Sequence, residues 1–323
     1  MSGKNKKILI SVISVIMAII VPLIYTDNYN RGIFIMVLIN LIVVLGLNFI
    51  TGLTGQMNLG TAGIFAVGAY TTGLLTTKLG ISPWITIIVS IFMGVIIGIG
   101  LGYPSLRIQG VYLALTTIGF GEIVRILISN LKFTNGIMGI SGISSFSIGG
   151  ISLSNKLYLY YLYLAFAIIL AIIAYRITNS KWGRIFKAVR DNYEAVQACG
   201  VNIAKPKILA FTLAAIYGCI GGSLYAVHME FITPSVFTFD LSTTFIIMMM
   251  LGGIGSVPGC IIGTIIATIL PEKLRFIGNW YWIVFSVIIL LIILFRPNGI
   301  ISFFNKKKTS KEKTVEKGVK VNG

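Results

Sequence analysis

Long apolar runs separated by short polar stretches make up most of this chain. Because an α-helix rises about 1.5 Å per residue, a helix that crosses a bilayer needs about 20 apolar residues. The chain is therefore predicted to be a polytopic membrane protein. Runs near this length predict spans at residues 8–25, 32–50, 83–103, 111–129, 157–176, 208–227 and 279–295.

Two further apolar regions, residues 52–77 and 241–270, are interrupted by glycine. If residues 241–270 formed a single span, the Lys-rich end of the chain would lie outside the cell, against the bias of Lys and Arg toward the cytoplasm. Reading this region as two short segments returns the end of the chain to the cytoplasm. We therefore predict an all-α fold of about ten membrane segments, including short or broken helices, with both termini cytoplasmic.

Composition supports this assignment and limits the partners. The mean hydropathy is +0.94. The chain has 26 Lys and Arg residues and only 9 Asp and Glu residues. The positive excess lies at the two ends and in one internal stretch, which is typical of cytoplasmic segments of a membrane protein rather than of nucleic-acid binding. The predicted division is a cytoplasmic N-terminus at 1–7, a transmembrane domain at 8–300 with a charged loop at 178–206, and a basic cytoplasmic tail at 301–323 that is attracted to anionic lipid.

Glycines recur at helix-packing spacing. Gly94, Gly98 and Gly102 form consecutive small-xxx-small steps, and the pairs Gly218–Gly222 and Gly259–Gly263 repeat that spacing. Such faces let helix backbones approach closely. The sequence leaves open whether these faces pack within one bundle or form a subunit interface.

The charged loop is predicted to contain an amphipathic helix from residue 185 to residue 199, which ends at the C-cap residue Gly200. Lys187 with Asp191, and Arg190 with Glu194, have the i,i+4 spacing of helical ion pairs, and Arg184 precedes them. A helix on the lipid surface and a helix that docks onto a partner protein are both compatible with this pattern.

Polar residues at membrane depth are the candidates for a translocation pathway. In "TGLTGQMNLGTAGIFAVGAYTTG" the glycines disfavour a continuous helix, and Gln56, Asn58 and Thr61 add polar side chains. Irregular backbone at this depth is tolerated only when it is buried in protein or lines a cavity. The alternative is a short cytoplasmic turn before a tightly packed helix.

A second set of candidates lies in "LALTTIGFGEIVRILIS", which contains Thr117, Glu122 and Arg125. Glu122 and Arg125 share one helix face and can pair. Placing a charged side chain inside a membrane costs about 2.5–3.5 kcal/mol or more unless the charge is paired or hydrated. Charged residues at this depth therefore indicate function by default. A purely structural ion pair near the interface remains the alternative.

The stretch "LGGIGSVPGC" predicts a hinge or packing point at Gly252, Gly253, Gly255 and Pro258. Catalytic and metal sites are not indicated: the three cysteines show no CxxC spacing, and there is no clustered His, Asp or Glu. The chain also lacks a GxxxxGK[ST] phosphate-binding loop, so any ATP would be bound by another polypeptide and no cofactor is expected.

Several stretches resemble a known family. "EAVQACG" resembles the EAA-x-x-x-G loop of bacterial ABC importer permeases, whose short helix docks onto the ATPase subunit. "GLTGQMNLGTAGIFAVGAYT", "GVYLALTTIGFGEIVRILISN", "GRIFKAVRDNYEAVQACGVN", "KILAFTLAAIYGCIGGSLYA" and "MMMLGGIGSVPGCIIGT" look like the blocks of LivM-type branched-chain amino-acid importer permeases, in the same order. The resemblance covers residues 35–300.

This resemblance implies the ABC importer permease fold in a bacterial inner membrane, with leucine, isoleucine and valine as cargo. The implied partners are a second homologous permease, two ATP-binding cassette ATPase subunits and an extracytoplasmic substrate-binding protein. The ATPase-coupling role then falls on the loop residues Arg184, Lys187, Arg190, Asp191, Glu194 and Gly200. Where relatives commonly have Ser-Leu-Gly-His, this chain has "NLGT", Asn58 to Thr61, so a pathway role for that histidine does not transfer.

Two functions therefore stand side by side. The first is a non-enzymatic permease subunit powered by a partner ATPase. The alternative is an ion-coupled secondary transporter in which Glu122 carries a proton. The charged loop separates the two, because a secondary transporter does not need a segment that docks onto an ATPase.

Overall fold

The computed structural model describes residues 18–25, 27–148, 151–152, 155–295 and 299–300. The predicted N-terminus at 1–7, most of the span at 8–25 and the tail at 301–323 lie outside the described residues, although residues 18–24 are helical. The described part is almost entirely helical, as the apolar pattern predicts.

The helices, in chain order, are α1 (Asn28–Leu47, continued by a π-helix at Asn48–Leu53), α2 (Thr61–Leu79), α3 (Pro83–Gly102), α4 (Val111–Asn130), α5 (Lys156–Thr178), α6 (Lys181–Asp191), α7 (Tyr193–Ala198), α8 (Ala204–Met229), α9 (Phe239–Gly252), α10 (Val257–Leu274) and α11 (Tyr281–Phe295). Short 3₁₀ turns lie at Pro104–Leu106, Lys132–Thr134, Gly136–Met138, Pro234–Val236 and Arg275–Trp280. Strand β1 (Ile140–Ser141) pairs antiparallel with β4 (Phe231–Ile232), and β2 (Ser147–Ile148) with β3 (Ile151–Ser152).

Six of the described helical segments are long and apolar enough to cross a membrane: Asn28–Leu53, Pro83–Leu106, Val111–Asn130, Lys156–Thr178, Ala204–Met229 and Val257–Leu274. The region at 241–270 forms two helices, α9 and α10, as predicted. Helices α1 and α8 are central: 83% and 72% of their most apolar stretches are buried, against 22% in α4.

The glycine face of α3 packs on α8. A Cβ on Gly98 would overlap the Cα of Thr212, and a Cβ on Gly94 would lie 2.8 Å from the Cα of Ile216. The backbones therefore approach as closely as the small-xxx-small spacing allows. Of the two alternatives left by the sequence, packing within one bundle is the one that the structure shows for this face.

A tight turn joins α9 to α10. Gly253 and Gly255 have φ of 126° and 80°, in the region that favours glycine. Ser256 then caps α10, its hydroxyl accepting a hydrogen bond from the backbone N–H of Gly259. Pro258 lies in the first turn of α10, where its missing N–H removes no helical hydrogen bond, so it starts a helix rather than interrupting one.

The two ends of the bundle differ. Gly255 approaches Arg190 of α6, and Gly299 packs against Gly253, so the last described residues lie at the same end as α6 and α7. We call this the loop end. The opposite end carries the β1–β4 pair. Along the chain, β1 lies between α4 and α5, and β4 lies between α8 and α9. The relative placement of the charged loop and the chain end therefore agrees with the predicted count of crossings.

The contact between α3 and α8 predicts that alanine substitutions at two glycines of α3 change the stability of the protein differently. Gly98→Ala is expected to destabilise the protein by about 1–3 kcal/mol, because its Cβ forces two backbones apart. Gly100 has nothing within 4 Å of its Cβ position, so Gly100→Ala is expected to be neutral or to stabilise by about 0.5–1 kcal/mol. Thermal unfolding of the two variants in the same detergent measures the difference, and equal melting temperatures would contradict this packing.

Candidate functional site

The chain leaves helical geometry between α1 and α2, at residues 54–60. Side chains of other helices hold this irregular backbone. The Thr117 hydroxyl of α4 accepts a hydrogen bond from the Leu59 N–H at 3.0 Å, and the Ser242 hydroxyl of α9 accepts one from the Ala62 N–H at 2.9 Å. The Asn58 side chain accepts from the Gly60 N–H. The break is thus a fixed structure and not a loose turn.

The break extends from the loop end into the middle of the bundle. Gly255, at the loop end, contacts the π-helix, whereas Ser242, which caps α2, lies in the first turn of α9. From Ser242 to the end of α9 at Gly252 the helix rises about 15 Å, which is half of a hydrocarbon core of about 30 Å. Helix α2 therefore begins inside the bundle, about 15 Å from the loop end along α9, as is expected of a broken membrane helix.

Polar atoms near this break are buried without partners. Among the described residues, no hydrogen-bond partner is found for Asn58 Nδ2, Thr61 Oγ1 or Gln56 Oε1. Buried polar groups are usually hydrogen-bonded, and each exception calls for a ligand, water or other partner. Three of the sequence-predicted pathway residues thus carry free hydrogen-bonding capacity at the helix break.

Glu122 and Arg125 form an ion pair on α4, about one and a half to two turns after Thr117 along the chain. Arg125 Nε donates to both carboxylate oxygens of Glu122, at 3.1 and 3.0 Å, and Nη2 donates to Oε1. The side chains are 45% and 32% exposed on the least buried span. Glu122 also borders a small cavity shared with Leu59, Ala62 and Ser242.

The structure places most of the predicted pathway residues on the α1–α2 break, at the start of α2 and on α4, which packs against both. We call Asn58, Thr61, Thr117, Glu122 and Arg125 the mid-bundle cluster. Gln56 is not part of it, because Gln56 borders a second cleft nearer the loop end. Ser242 completes the contacts of this region, and one serine in an apolar helix carries no sequence signal that would have singled it out.

Arg190 is an exposed residue at the loop end whose side chain contacts the bundle. Its Nη1 donates a 2.9 Å hydrogen bond to the carbonyl of Gly52 in the π-helix, and its aliphatic part covers Gly55. Asn48, also in the π-helix, accepts a 2.9 Å hydrogen bond from the Gly255 N–H. We call these contacts the Arg190 clamp: they join α6, the α1–α2 break and the α9–α10 turn.

Asn48 of this clamp was not predicted from the sequence, although a polar side chain inside an apolar run is a signal that could have indicated it. The sequence does indicate its partner Gly255, which belongs with Gly252 and Gly253 to the predicted hinge or packing point. Gly252 packs directly against the backbone of Gly259. The glycine stretch is therefore a site of close backbone packing in this structure.

The charged loop is not one continuous helix, which corrects the prediction for residues 185–199. Asn192 has extended φ and ψ of −157° and 101° and caps α7 by accepting from the Ala195 N–H. This break removes the i,i+4 geometry of Arg190 and Glu194. The ion pairs found in the described part of the chain include neither that pair nor Lys187 with Asp191.

The faces of α6 are nevertheless amphipathic, as predicted. Gly183, Phe186 and Val189 are buried against the bundle. The side chains of Arg184, Lys187 and Asp191 are exposed, as is Glu194 of α7. Gly200 has φ of 75°, which suits its predicted position after the last turn. The loop therefore presents a charged outer face.

A cleft of about 340 Å³ separates the charged loop from the bundle. Gln56, Arg190, Glu194 and Lys207 are among the residues that border it. Lys207, in the first turns of α8, is 94% buried. The apolar pattern gives no reason to single it out, because it stands at the edge of a predicted span.

A bundle of apolar helices, with broken helices at mid-depth and a charged loop fixed to those breaks, is the architecture of a membrane permease. The chain belongs to the family described as "Branched-chain amino acid transport system / permease component", which matches residues 29–294. It is thus a multi-pass membrane protein and the permease component of an ABC transport system.

Named relatives agree with this family. The chain is 31% identical over 288 residues to the high-affinity branched-chain amino acid transport system permease protein LivM of Escherichia coli, covering 82% of this chain and 68% of the relative. It is 30% identical to the Salmonella typhimurium LivM, with the same coverage. It is 23% identical over 261 residues to the fructose import permease protein FrcC of Rhizobium meliloti, covering 74% and 69%. No solved structure matches the chain.

The Arg190 clamp predicts a local effect of one substitution. Hydrogen bonds to charged groups contribute about 1.5–3 kcal/mol, so Arg190→Gln is expected to speed amide exchange of α6 and of residues 52–55 about 10-fold or more. Lys187→Gln, on the exposed side of the same helix, is the matched control and should leave exchange unchanged. Hydrogen exchange with mass spectrometry measures both, and identical protection in the two variants would contradict the clamp.

Proposed function

We propose that this chain is a permease subunit of an ABC importer and forms the translocation pathway for leucine, isoleucine and valine. A second homologous permease completes the pathway, two ATP-binding cassette subunits supply the energy, and an extracytoplasmic binding protein delivers the cargo. The observation that carries the proposal is the charged loop, whose Arg190 donates to the π-helix at Gly52, while Asn48 of the same π-helix accepts from Gly255 in the α9–α10 turn. The named LivM relatives support the cargo.

The loop has the two faces that energy coupling needs. Its buried face, with Phe186 and Val189, fixes it to the bundle, and its outer face offers Arg184, Lys187, Asp191 and Glu194 to a partner. Because Arg190 contacts the π-helix and lies beside Gly255, a displacement of α6 acts on both breaks at once. ATP binding by a docked subunit thus has a mechanical route to mid-depth.

The Glu122–Arg125 pair supports a pathway along α4. Its side chains are one third to one half exposed in the middle of a membrane-spanning helix. Exposed charge in hydrocarbon costs several kcal/mol, about 2.5–3.5 per residue on insertion scales, so this face should meet protein or water rather than lipid. In the proposed assembly the second permease faces α4, and the mid-bundle cluster lines the pathway between the two.

The orientation follows from charge. The loop and the described chain end lie at one end of the bundle, and the basic tail follows that end directly. Lys and Arg concentrate on the cytoplasmic side of membrane proteins. We therefore place the loop end and both termini in the cytoplasm of a bacterial cell, with the β1–β4 pair outside.

Charge reversal on the outer face tests the coupling role. Lys187→Glu is expected to lower co-purification of the ATP-binding subunits and ATP-driven leucine uptake at least 10-fold, because a repulsive charge enters the docking surface. Lys132→Glu, an exposed lysine at the opposite end of the bundle, is the matched control and should leave both unchanged. Mass spectrometry of the purified assembly and uptake into proteoliposomes are the measurements.

Energisation separates this proposal from the ion-coupled alternative. Uptake should require the ATP-binding subunits and ATP inside the proteoliposomes, with no response to a proton gradient. Gradient-driven uptake by this chain alone, without ATP, would overturn the importer assignment in favour of a secondary transporter.

A double variant separates a pathway role of Glu122 from a structural one. Glu122→Gln leaves Arg125 without its partner and is expected to lower assembly and uptake together. In Glu122→Gln with Arg125→Gln no unpaired charge remains, so assembly should recover. Uptake per assembled complex should stay at least 10-fold lower if the pair lines the pathway, whereas full recovery of uptake would show that the pair is only structural.

A further inference from the structure

The cleft behind the charged loop contains a largely buried lysine whose ammonium has no acceptor. The Lys207 residue is 94% buried, and its ammonium, which remains accessible from the cleft, has no hydrogen bond or ion pair to any described residue. It lies 5.9 Å from the centroid of the Tyr193 ring. Partial burial disfavours an unpaired ammonium, and the start of a helix adds an unfavourable dipole. This position favours an anionic group in the cleft.

The other walls of the cleft narrow the ligand class. Gln56 is 92% buried, and its Oε1 accepts no hydrogen bond from the described residues. The carboxylates of Asp191 and Glu194 border the same cleft and suit an ammonium. Ile108, Leu113 and Val189 provide an apolar wall. One volume thus offers partners for a carboxylate, an ammonium and an aliphatic side chain.

We propose that this cleft is a cytoplasmic binding site for a free aliphatic α-amino acid, whose carboxylate pairs with Lys207. The volume of about 340 Å³ lies within the range of about 300–1,000 Å³ found for small-molecule sites. The inference rests on the proposed function for the identity of the amino acid, but the site itself requires only the residues of this chain.

Occupancy of the site has a mechanical consequence. One wall belongs to the charged loop, through Asp191 and Glu194, and the other to the bundle, through Gln56 and Lys207. A ligand that contacts both walls binds best when the loop stays close to the bundle, and it therefore opposes movement of the loop. Imported amino acid that accumulates in the cytoplasm would slow the ATPase through this site.

The test uses the complete assembly of both permeases and the ATP-binding subunits in nanodiscs, without the binding protein, and radiolabelled L-leucine as the probe. Saturable leucine binding is expected, with affinity lowered at least 10-fold by Lys207→Met and retained in Lys207→Arg. Lys205→Met, an exposed lysine on the same helix, is the matched control and should bind as the unmodified protein does. Isopentylamine, which lacks the carboxylate, should fail to compete.

A second readout excludes a merely structural effect. Leucine is expected to slow ATP hydrolysis in the unmodified assembly and in Lys205→Met but not in Lys207→Met. If Lys207→Met fails to assemble, Gln109→Glu replaces it, since Gln109 is exposed at the cleft and its new carboxylate would repel the ligand and pair with Lys207.

Three results decide between the outcomes. Absence of saturable leucine binding, or equal affinity in the unmodified protein, Lys207→Met and Gln109→Glu, would overturn the site while ATP-driven uptake still supports the importer. An assembly that lacks ATP-binding subunits would overturn the proposed function instead. In that case leucine binding to the purified permease, with the same variants, still decides the site.

Discussion

A helix that ends inside a bilayer leaves backbone N–H and C=O groups that water cannot reach, and those groups need partners from the protein. This constraint organises the centre of the molecule. Thr117 accepts from the Leu59 N–H, Ser242 from the Ala62 N–H and Asn48 from the Gly255 N–H, while Arg190 donates to the Gly52 carbonyl. In each case the side chain and the backbone group that it satisfies belong to different structural elements. Hydrogen bonds therefore join the breaks to α4, α6 and α9.

A side chain of the charged loop meets the same need. Arg190 is exposed like the other charged residues of α6, yet its guanidinium donates to a carbonyl of the π-helix. Under the proposed function, this hydrogen bond connects a displacement of α6 to the π-helix. Glycine provides the space: Gly52, Gly55 and Gly255 let the chain segments and Arg190 come together.

Glycine has a second use in the rigid part of the bundle. Gly94 and Gly98 seat α3 on α8, and Gly222 seats α8 on α2. These contacts pack α8 closely against α3 and α2. Lys207 lies near the start of α8, so the cleft beside it is bounded by the bundle on one side and by the charged loop on the other.

The apolar pattern by itself determined that the chain is a helical membrane protein, where its spans lie, and that helices break near Gly55 and Gly253, since length, hydropathy and glycine content are local properties. It also pointed to Asn58, Thr61, Thr117, Glu122 and Arg125, because polar residues in apolar runs are conspicuous. Tertiary structure alone decided that Thr117 and Glu122 lie beside the α1–α2 break, that Arg190 contacts the π-helix and not Glu194, and that Asn48, Ser242 and Lys207 lie at the breaks and the cleft. The reason is physical: a hydrogen-bond partner or a cleft wall is set by which helices are neighbours, and periodicity along one helix does not encode its neighbours.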